Sequence, residues 1–159
     1  MFRMTKLADY GIVLLTYMAG DPDGGPHNAK DLAARSHMPL PVVTKILKIL
    51  AREGLLVSQR GTKGGYSLAR PAAEITMADA IRAVEGPIGL ATCIVGPPGD
   101  CEHESFCPVR GHVARINHTL RQALGGITLA ELSRPVPAPK FEQFVTLDSL
   151  RTADAGVRS

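Results

Sequence analysis

A chain of 159 residues, 45% of them hydrophobic and 21% charged, fits one domain or a domain with an appendage and is long enough to bury a core. Its longest apolar stretch, Gly11 to Gly20, falls short of the roughly 18 residues that a membrane span needs, which excludes a transmembrane protein. The net charge of +3 divides into +5 for residues 1–72 (ten Lys or Arg, five Asp or Glu) and −2 for residues 73–159 (eight against ten), so we expect a polyanionic partner to face the first half.

Three helices are predicted in the first third of the chain, because apolar residues recur there at three- and four-residue spacing. The first begins after Thr5 and ends at Gly20, and the second covers residues 29–36. A tight turn separates the second helix from the third, which begins with Pro41 and ends at Gly54. This arrangement is typical of a helix-turn-helix. The apolar stripes comprise Leu7, Gly11, Leu14, Leu15 and Met18, then Leu32 and Ala33, then Val43, Ile46, Leu47 and Leu50.

A β-hairpin is predicted directly after the third helix. The strand-like runs 55–60 and 66–68 flank a glycine-rich tip. A fourth helix follows, with Thr76 and Asp79 as its cap, and continues through Val84. The fold class is therefore mainly α with a small β-hairpin wing, a winged helix-turn-helix, to which a long C-terminal helix is added.

The stretch from Gly86 to Gly111 shows no regular periodicity. The long helix is predicted to begin near Pro108, towards the end of this stretch. Its apolar residues follow a 4-3 spacing, which predicts a heptad seam for dimerisation. Two heptads are short for a coiled coil, so packing within its own domain is the alternative. Thr128 then caps one further turn. The seam consists of Val109, Val113, Ile116, Leu120 and either Ala123 or Leu124.

Four segments follow from these elements. We expect a winged-helix DNA-binding domain at residues 1–85, a cysteine-rich loop at 86–107, a dimerisation helix at 108–132 and a flexible tail at 133–159.

The third helix and the wing carry the candidate DNA contacts. On the helix face opposite the buried stripe, Thr44 and Lys45 are placed to reach base edges or phosphates, and Val42 to meet a thymine methyl. A plain solvated face is the alternative. The wing favours DNA, because a glycine-rich tip approaches a minor groove closely and an Arg is drawn to its negative potential. The predicted contacts are Pro39, Val42, Thr44, Lys45, Lys48, Arg60 and Lys63.

The loop carries Cys93, Cys101 and Cys107, separated by seven and five residues. No small-x-small cleavage site follows the N-terminal residues, so we expect no signal peptide and a cytoplasmic location, where a disulfide framework is not expected. Thiolates at this density in a glycine-rich loop indicate a bound metal, and three unrelated thiols are the alternative. Zinc favours ligand pairs two to four residues apart, which the loop lacks, so the spacing prefers an iron–sulfur cluster.

Four motifs together resemble the Rrf2 family of iron–sulfur regulators over about residues 1–132. They are MTKLADYG at the N-terminus, SQRGTKGGYSLARP in the wing, ITMADAIRAVEGPI after it, and the three-cysteine loop followed by PVRGHVARIN. The CPVRGH run looks most like the branch that regulates the SUF iron–sulfur assembly system. The resemblance implies a homodimeric winged-helix transcription factor whose three cysteines bind a cluster and whose next helix forms the dimer beside the partner's DNA-binding domain.

The resemblance leaves the fourth cluster ligand open. IscR-like members place a His three residues after the last Cys, but this position is Arg110, whose guanidinium stays protonated and does not ligate. NsrR-like members supply an Asp from the first helix of the other subunit, and the matching residue is Asp9. An acid among apolar neighbours is costly to bury without a partner, which favours Asp9. His112 and then His103 are the alternatives, and a plain surface position for Asp9 is the remaining one.

We therefore expect a cluster-sensing transcriptional regulator, a repressor of SUF genes, with no enzymatic activity. A 2Fe-2S cluster is favoured over a 4Fe-4S cluster, and the expected partners are a second copy and palindromic double-stranded operator DNA, with no membrane. The alternatives are a nitric-oxide or redox-sensing repressor of the same fold and a zinc-stabilised interaction module. A thiol enzyme is disfavoured, because no Cys lies in a C-x-x-C motif or a glycine-rich strand-to-helix turn.

Overall fold

The computed structural model describes residues 4–22, 24–61, 64–97 and 99–135. Within these ranges, no helix is long and apolar enough to cross a membrane. Helices and one antiparallel hairpin make up the regular structure, in the order α1 (Lys6–Ala19), α2 (Ala29–Ser36), α3 (Leu40–Arg52), β1 (Leu56–Gln59), β2 (Gly65–Leu68), α4 (Met77–Glu85), α5 (Thr92–Val95), α6 (Arg110–Gly125) and α7 (Leu129–Leu132).

The first three helices confirm the predicted helix-turn-helix. The Thr5 hydroxyl accepts the N–H of Ala8 at 3.2 Å and begins α1, and Asn28 accepts the N–H of Asp31 at 2.8 Å and begins α2. α3 begins one residue earlier than expected, at Leu40, because Pro39 already occupies the cap position.

The core of the domain is formed where α1, α3 and α4 pack together. It contains the stripes that the periodicity predicts. Leu14 and Leu15 of α1 are fully buried, as are Val43, Ile46, Leu47 and Leu50 of α3 and Leu32 of α2. Burial of such side chains contributes about 1.5–3 kcal/mol each relative to exposure.

The wing contains a backbone pairing that the hairpin pattern alone does not predict. β1 and β2 pair from Leu56 opposite Leu68 to Gln59 opposite Gly65. His27, in the connection between α1 and α2, adds to the outer edge of β2, where it exchanges two backbone hydrogen bonds of 2.8 Å with Tyr66. The base of the wing is thereby attached to the helix-turn-helix.

The C-terminal part of the described chain returns to the same core. Leu129 N–H donates to the Ile75 carbonyl at 2.8 Å, and Met77 N–H donates to the Ile127 carbonyl at 2.8 Å. Leu129 is fully buried, and α7 packs against α1. Residues 127–132, placed with the dimerisation helix in the sequence-based division, thus contribute to the packing of the winged helix.

The sequence predicted two irregular segments, residues 86–111 and 133–159. The stretch 86–111 is not free of regular structure, because it holds α5 and a 3-10 turn at Glu104–Phe106. Such short elements escape a periodicity analysis, which needs a longer window. Most of the predicted flexible tail, residues 136–159, lies outside the described residues.

Candidate DNA-binding surface and cysteine segment

The exposed side of α3 forms an open basic groove. Lys45, Lys48 and Arg52 lie along it, spaced three and four residues apart, so they share one helix face. Arg52 also pairs with Glu53, Nε to Oε1, at 3.0 Å. The other residues that line the groove are Leu40, Pro41, Thr44 and Ile49.

The predicted DNA contacts do not all lie on this exposed face. Pro39, Lys45, Lys48 and Arg60 are exposed, whereas Thr44 is half-buried. Val42 was expected to be exposed, but it is half-buried and packs against the core, because it flanks the buried stripe. Lys63 lies outside the described residues.

Sequence reasoning missed Arg52, Leu40 and Pro41 as groove residues. The spacing of Arg52 from Lys45 and Lys48 places the three cations on one helix face, and this is the sequence signal that could have identified it.

The apolar stripe that runs from Val109 along α6 has different surroundings at its two ends. Leu120 and Leu124 are half-buried and pack against the core of their own chain, as the alternative to a dimer seam predicts. Val109 and Ile116 remain 53% and 57% exposed, and Val113 is half-buried. The predicted seam therefore divides into a C-terminal part that packs within the chain and an N-terminal part that is largely exposed.

A buried amide connects α6 to the segment that leads into the cysteines. Asn117 is 2% exposed, and its Nδ2 donates to the Ile88 carbonyl at 3.3 Å. Its Oδ1 accepts the N–H of Leu90 at 3.1 Å. Sequence reasoning missed Asn117, because α6 is rich in polar residues and nothing local distinguishes this amide from its polar neighbours His118 and Thr119.

The three cysteines are free thiols, and each is half-buried. Cys93 lies on α5, Cys101 precedes the 3-10 turn and Cys107 ends it. Within that turn Glu104 pairs with Arg110, the first residue of α6, and accepts the N–H of Gly99 at 2.9 Å. The arginine that stands three residues after Cys107 is thus held in an ion pair.

The single chain does not bring the predicted ligands together as a finished metal centre. Among the described residues, no three His, Cys, Asp or Glu side chains are grouped so as to hold a metal ion. Asp9 is exposed on α1, so the burial cost that favoured it as a ligand does not arise within one chain. His103 and His112 are exposed as well. In its donor chemistry, the set of three free thiols still fits a cluster.

A helix-turn-helix with a basic recognition helix, a β-wing beside it and a long helix behind it define a winged-helix transcriptional regulator. A protein-family model described as "Rrf2: Iron-dependent Transcriptional regulator" matches residues 4–135. The chain therefore belongs to the Rrf2 family, as the sequence motifs predicted.

Individual relatives agree with this assignment. The chain is 37% identical over 132 residues to Rv1287 of Mycobacterium tuberculosis, named as an HTH-type transcriptional regulator, a match that covers 82% of this chain and 81% of the relative. Among solved structures, it is similar to "CymR (YrzC) the Global Cysteine Regulator of B. subtilis", with a TM-score of 0.65, 26% identity and coverage of 84% and 97%. T. potens IscR has the same fold, with a TM-score of 0.64, 23% identity and coverage of 99% and 93%.

Proposed function

We propose that the chain acts as a homodimer that binds a palindromic operator and represses transcription, and that it has no catalytic activity. The observation that carries this proposal is the basic face of α3, formed by Lys45, Lys48 and Arg52. α3 packs against the hairpin, whose first strand is followed by the exposed Arg60. A recognition helix of this charge fits the major groove, where its lysines contact phosphates. Arg60 reads the adjacent minor groove.

The second copy packs on the exposed N-terminal part of this apolar stripe. Val109, which directly precedes α6, and Ile116, on the helix, are exposed apolar side chains one heptad apart. Two such helices in contact place two recognition helices on one face of DNA, so the two-fold symmetry of the dimer matches that of a palindrome.

We further propose that Cys93, Cys101 and Cys107 bind an iron–sulfur cluster, with 2Fe-2S favoured. When bound, the cluster supplies a redox-sensitive and nitric-oxide-sensitive centre. The donor chemistry supports this proposal, since three free, half-buried thiols lie on one segment. The loop has to close further to bring them together, which is usual, because preformed metal sites are rare without the metal.

Asp9 of the partner subunit is the proposed fourth ligand. Its exposure on α1 leaves the carboxylate available to another chain. A carboxylate from α1 would connect the cysteine segment of one subunit to the DNA-binding domain of the other, so occupation of the site would change the affinity for DNA. His112, exposed on α6, is the alternative ligand. The CPVRGH run, residues 107–112, supports SUF assembly genes as the targets.

A second candidate function is redox sensing by the thiols themselves, without a cluster. The observation that favours it is the lack of a grouped metal-ligand set among the described residues. The structure of "Staphylococcus aureus CymR oxidized form" is similar to this chain, with a TM-score of 0.64, 27% identity and coverage of 86% of this chain and 100% of that one. Under this alternative, the half-buried cysteines respond to oxidant directly.

The deciding experiment is anaerobic purification followed by an absorption spectrum, iron analysis and a DNA mobility shift. Bound iron with visible bands that disappear in Cys93→Ser, Cys101→Ser and Cys107→Ser supports the cluster. DNA binding that responds to peroxide in protein without iron supports the thiol sensor. Zinc without visible bands indicates a zinc-stabilised module, and absence of any DNA shift contradicts both regulatory proposals.

A further inference from the structure

The segment that carries Cys101 and Cys107 is closed by one carboxylate. Oε2 of Glu104 accepts the N–H of Gly99 at 2.9 Å, and Oε1 pairs with Nη2 of Arg110 at 2.5 Å. The Glu104 side chain is only 15% exposed. Both carboxylate oxygens are therefore used, one by the chain before Cys101 and the other by the chain after Cys107.

Each member of this ion pair is also bonded to a cysteine through the backbone. Glu104 N–H donates to the Cys101 carbonyl at 3.0 Å, and Arg110 N–H donates to the Cys107 carbonyl at 3.4 Å. The ion pair consequently joins the turn that holds Cys101 to the turn that holds Cys107. Gly99, whose N–H donates to the Glu104 carboxylate, has a φ of +89°, a conformation that favours glycine.

We propose that Glu104 and Arg110 are positioning residues that hold Cys101 and Cys107 at a fixed separation in the cluster-free chain. A charge-assisted pair in which the carboxylate is largely shielded from water is stronger than an exposed surface pair. We call the Glu104–Arg110 ion pair, with its bond from the Gly99 N–H, the clamp. The geometry stands without the proposed function, but the purpose of the clamp, presentation of two thiols to iron, rests on it.

The test measures the accessibility of each thiol in the full-length, cluster-free protein. Glu104→Gln keeps the size of the side chain and removes its charge, and Arg110→Gln removes the other partner. N-ethylmaleimide labels the thiols, and mass spectrometry of the peptides gives a rate for each cysteine. We expect Cys101 and Cys107 to react about fivefold faster in either variant, which corresponds to about 1 kcal/mol, while Cys93 keeps its rate.

Matched controls and a double variant make the test specific. Glu102→Gln changes an exposed acid of the same segment, and Arg115→Gln changes an exposed arginine of the same helix. In both variants, Cys101 and Cys107 should react with N-ethylmaleimide at the wild-type rate. Glu104→Gln combined with Arg110→Gln should label no faster than either single variant, because residues that act on each other are not additive. Wild-type rates in both single variants, or an equal increase at Cys93, would overturn the proposal.

A second measurement separates this proposal from the proposed function. The same proteins are reconstituted anaerobically with ferrous iron and sulfide, and the loss of visible absorbance is followed after addition of a chelator. Faster loss in Glu104→Gln than in Glu102→Gln supports the clamp as a cluster-positioning device. If the wild-type protein takes up no cluster while the labelling result stands, the cluster assignment fails and the clamp is retained as a positioner of thiols.

Discussion

The amide of Asn117 binds the backbone of Leu90 across 27 residues of sequence, with its Oδ1 accepting the Leu90 N–H at 3.1 Å. Its Nδ2 donates to the Ile88 carbonyl at the same time, at 3.3 Å. The segment that enters the cysteine region is therefore fixed to the middle of α6 by a residue that is both a donor and an acceptor.

Substitution of Asn117 by Leu removes both bonds and leaves the Leu90 N–H and the Ile88 carbonyl without this partner. Buried polar groups that lose their partner cost about 1–3 kcal/mol each, so we expect the free energy of unfolding to fall by at least about 1 kcal/mol. Urea unfolding followed by circular dichroism measures it. His118→Leu changes the exposed neighbour and serves as the control. Equal stability of the two variants would show that the amide is dispensable.

Gly65 is required at the base of the wing because the backbone of His27 approaches it closely. A Cβ atom at this position would lie 2.5 Å from the His27 carbonyl oxygen. Gly65→Ala should therefore displace the wing from the connection at His27, lower the stability by about 1–3 kcal/mol and weaken DNA binding. Gly25→Ala is the matched control, because a Cβ atom there meets nothing within 4 Å. Similar melting temperatures for both variants would contradict the contact.

Arg60 and Lys48 should affect DNA binding in different ways. Arg60→Ala should cost about 1–3 kcal/mol on operator DNA and relax the discrimination of A·T from G·C at the contacted step, whereas Lys48→Ala should weaken all sequences alike and reduce the salt slope by about 1. Fluorescence anisotropy with specific and random duplexes at several salt concentrations measures both effects. Arg115→Ala on α6 is the control. An equal loss on both duplexes for Arg60→Ala would refute its role in readout.

Ile116→Glu should convert the proposed dimer into monomers. An unpaired carboxylate buried in the interface costs several kcal/mol. Ala114→Glu places the same charge two residues away, on nearly the opposite side of the helix, and should leave the dimer intact. Analytical ultracentrifugation compares the two variants. An Ile116→Glu dimer of wild-type strength would mean that the exposed N-terminal part of the α6 stripe is not the interface.

Asp79 makes the stability of the winged helix depend on pH in the acidic range. Burial raises the pKa of this carboxyl, but hydrogen bonds from Thr76 and the charges of Arg82 and Arg70 outweigh it, so the pKa lies below the ordinary value of 3.8. A carboxyl whose pKa is lowered by folding stabilises the fold above its unfolded pKa, and this contribution is lost as the pH falls through the folded pKa.

The matching variant is Asp79→Asn, which removes the charge that pairs with Arg82 and Arg70 and keeps a side-chain oxygen that can accept from Thr76 in the capping box of α4. We expect it to lower the free energy of unfolding by about 1 kcal/mol near neutral pH, with the difference from wild type shrinking below pH 3.8. Glu102→Gln, which alters an exposed carboxyl, should differ little from wild type at any pH. A constant difference across the acidic range would show that the charge of Asp79 does not contribute.

The sequence was sufficient for the parts of the fold that short-range chemistry determines. Thr5, Asn28 and Thr76 cap helices through bonds that span three residues, and the stripe of Val43, Ile46, Leu47 and Leu50 follows from helical spacing alone. Such signals lie within one window of sequence, so they can be interpreted without the rest of the chain.

Interactions between distant segments were not predictable in this way. The pairing of His27 with Tyr66 joins residues almost forty positions apart, and nothing local to His27 indicates a strand. The bonds of Asn117 and the Glu104–Arg110 ion pair depend on how a glycine-rich segment folds back on α6. The half-burial of Val42 depends on its neighbours in the core. The exposure of Lys45 and Lys48 on α3 was therefore predicted correctly, but that of Val42, at the edge of the exposed face, was not.

The bridge between Thr76 and Thr128 gives the cysteine segment and α6 the character of an insertion. Residues 88–125 lie between α4 and the return of the chain at Ile127, so both ends of this segment are anchored in one domain, and Ile88, Leu120 and Leu124 also pack in or against its core. A segment of this kind can be exchanged as a unit. Grafting residues 88–125 of an Rrf2 relative onto this winged helix should change the signal that is sensed and keep the operator, whereas a cut before Leu129 would remove part of the DNA-binding core itself.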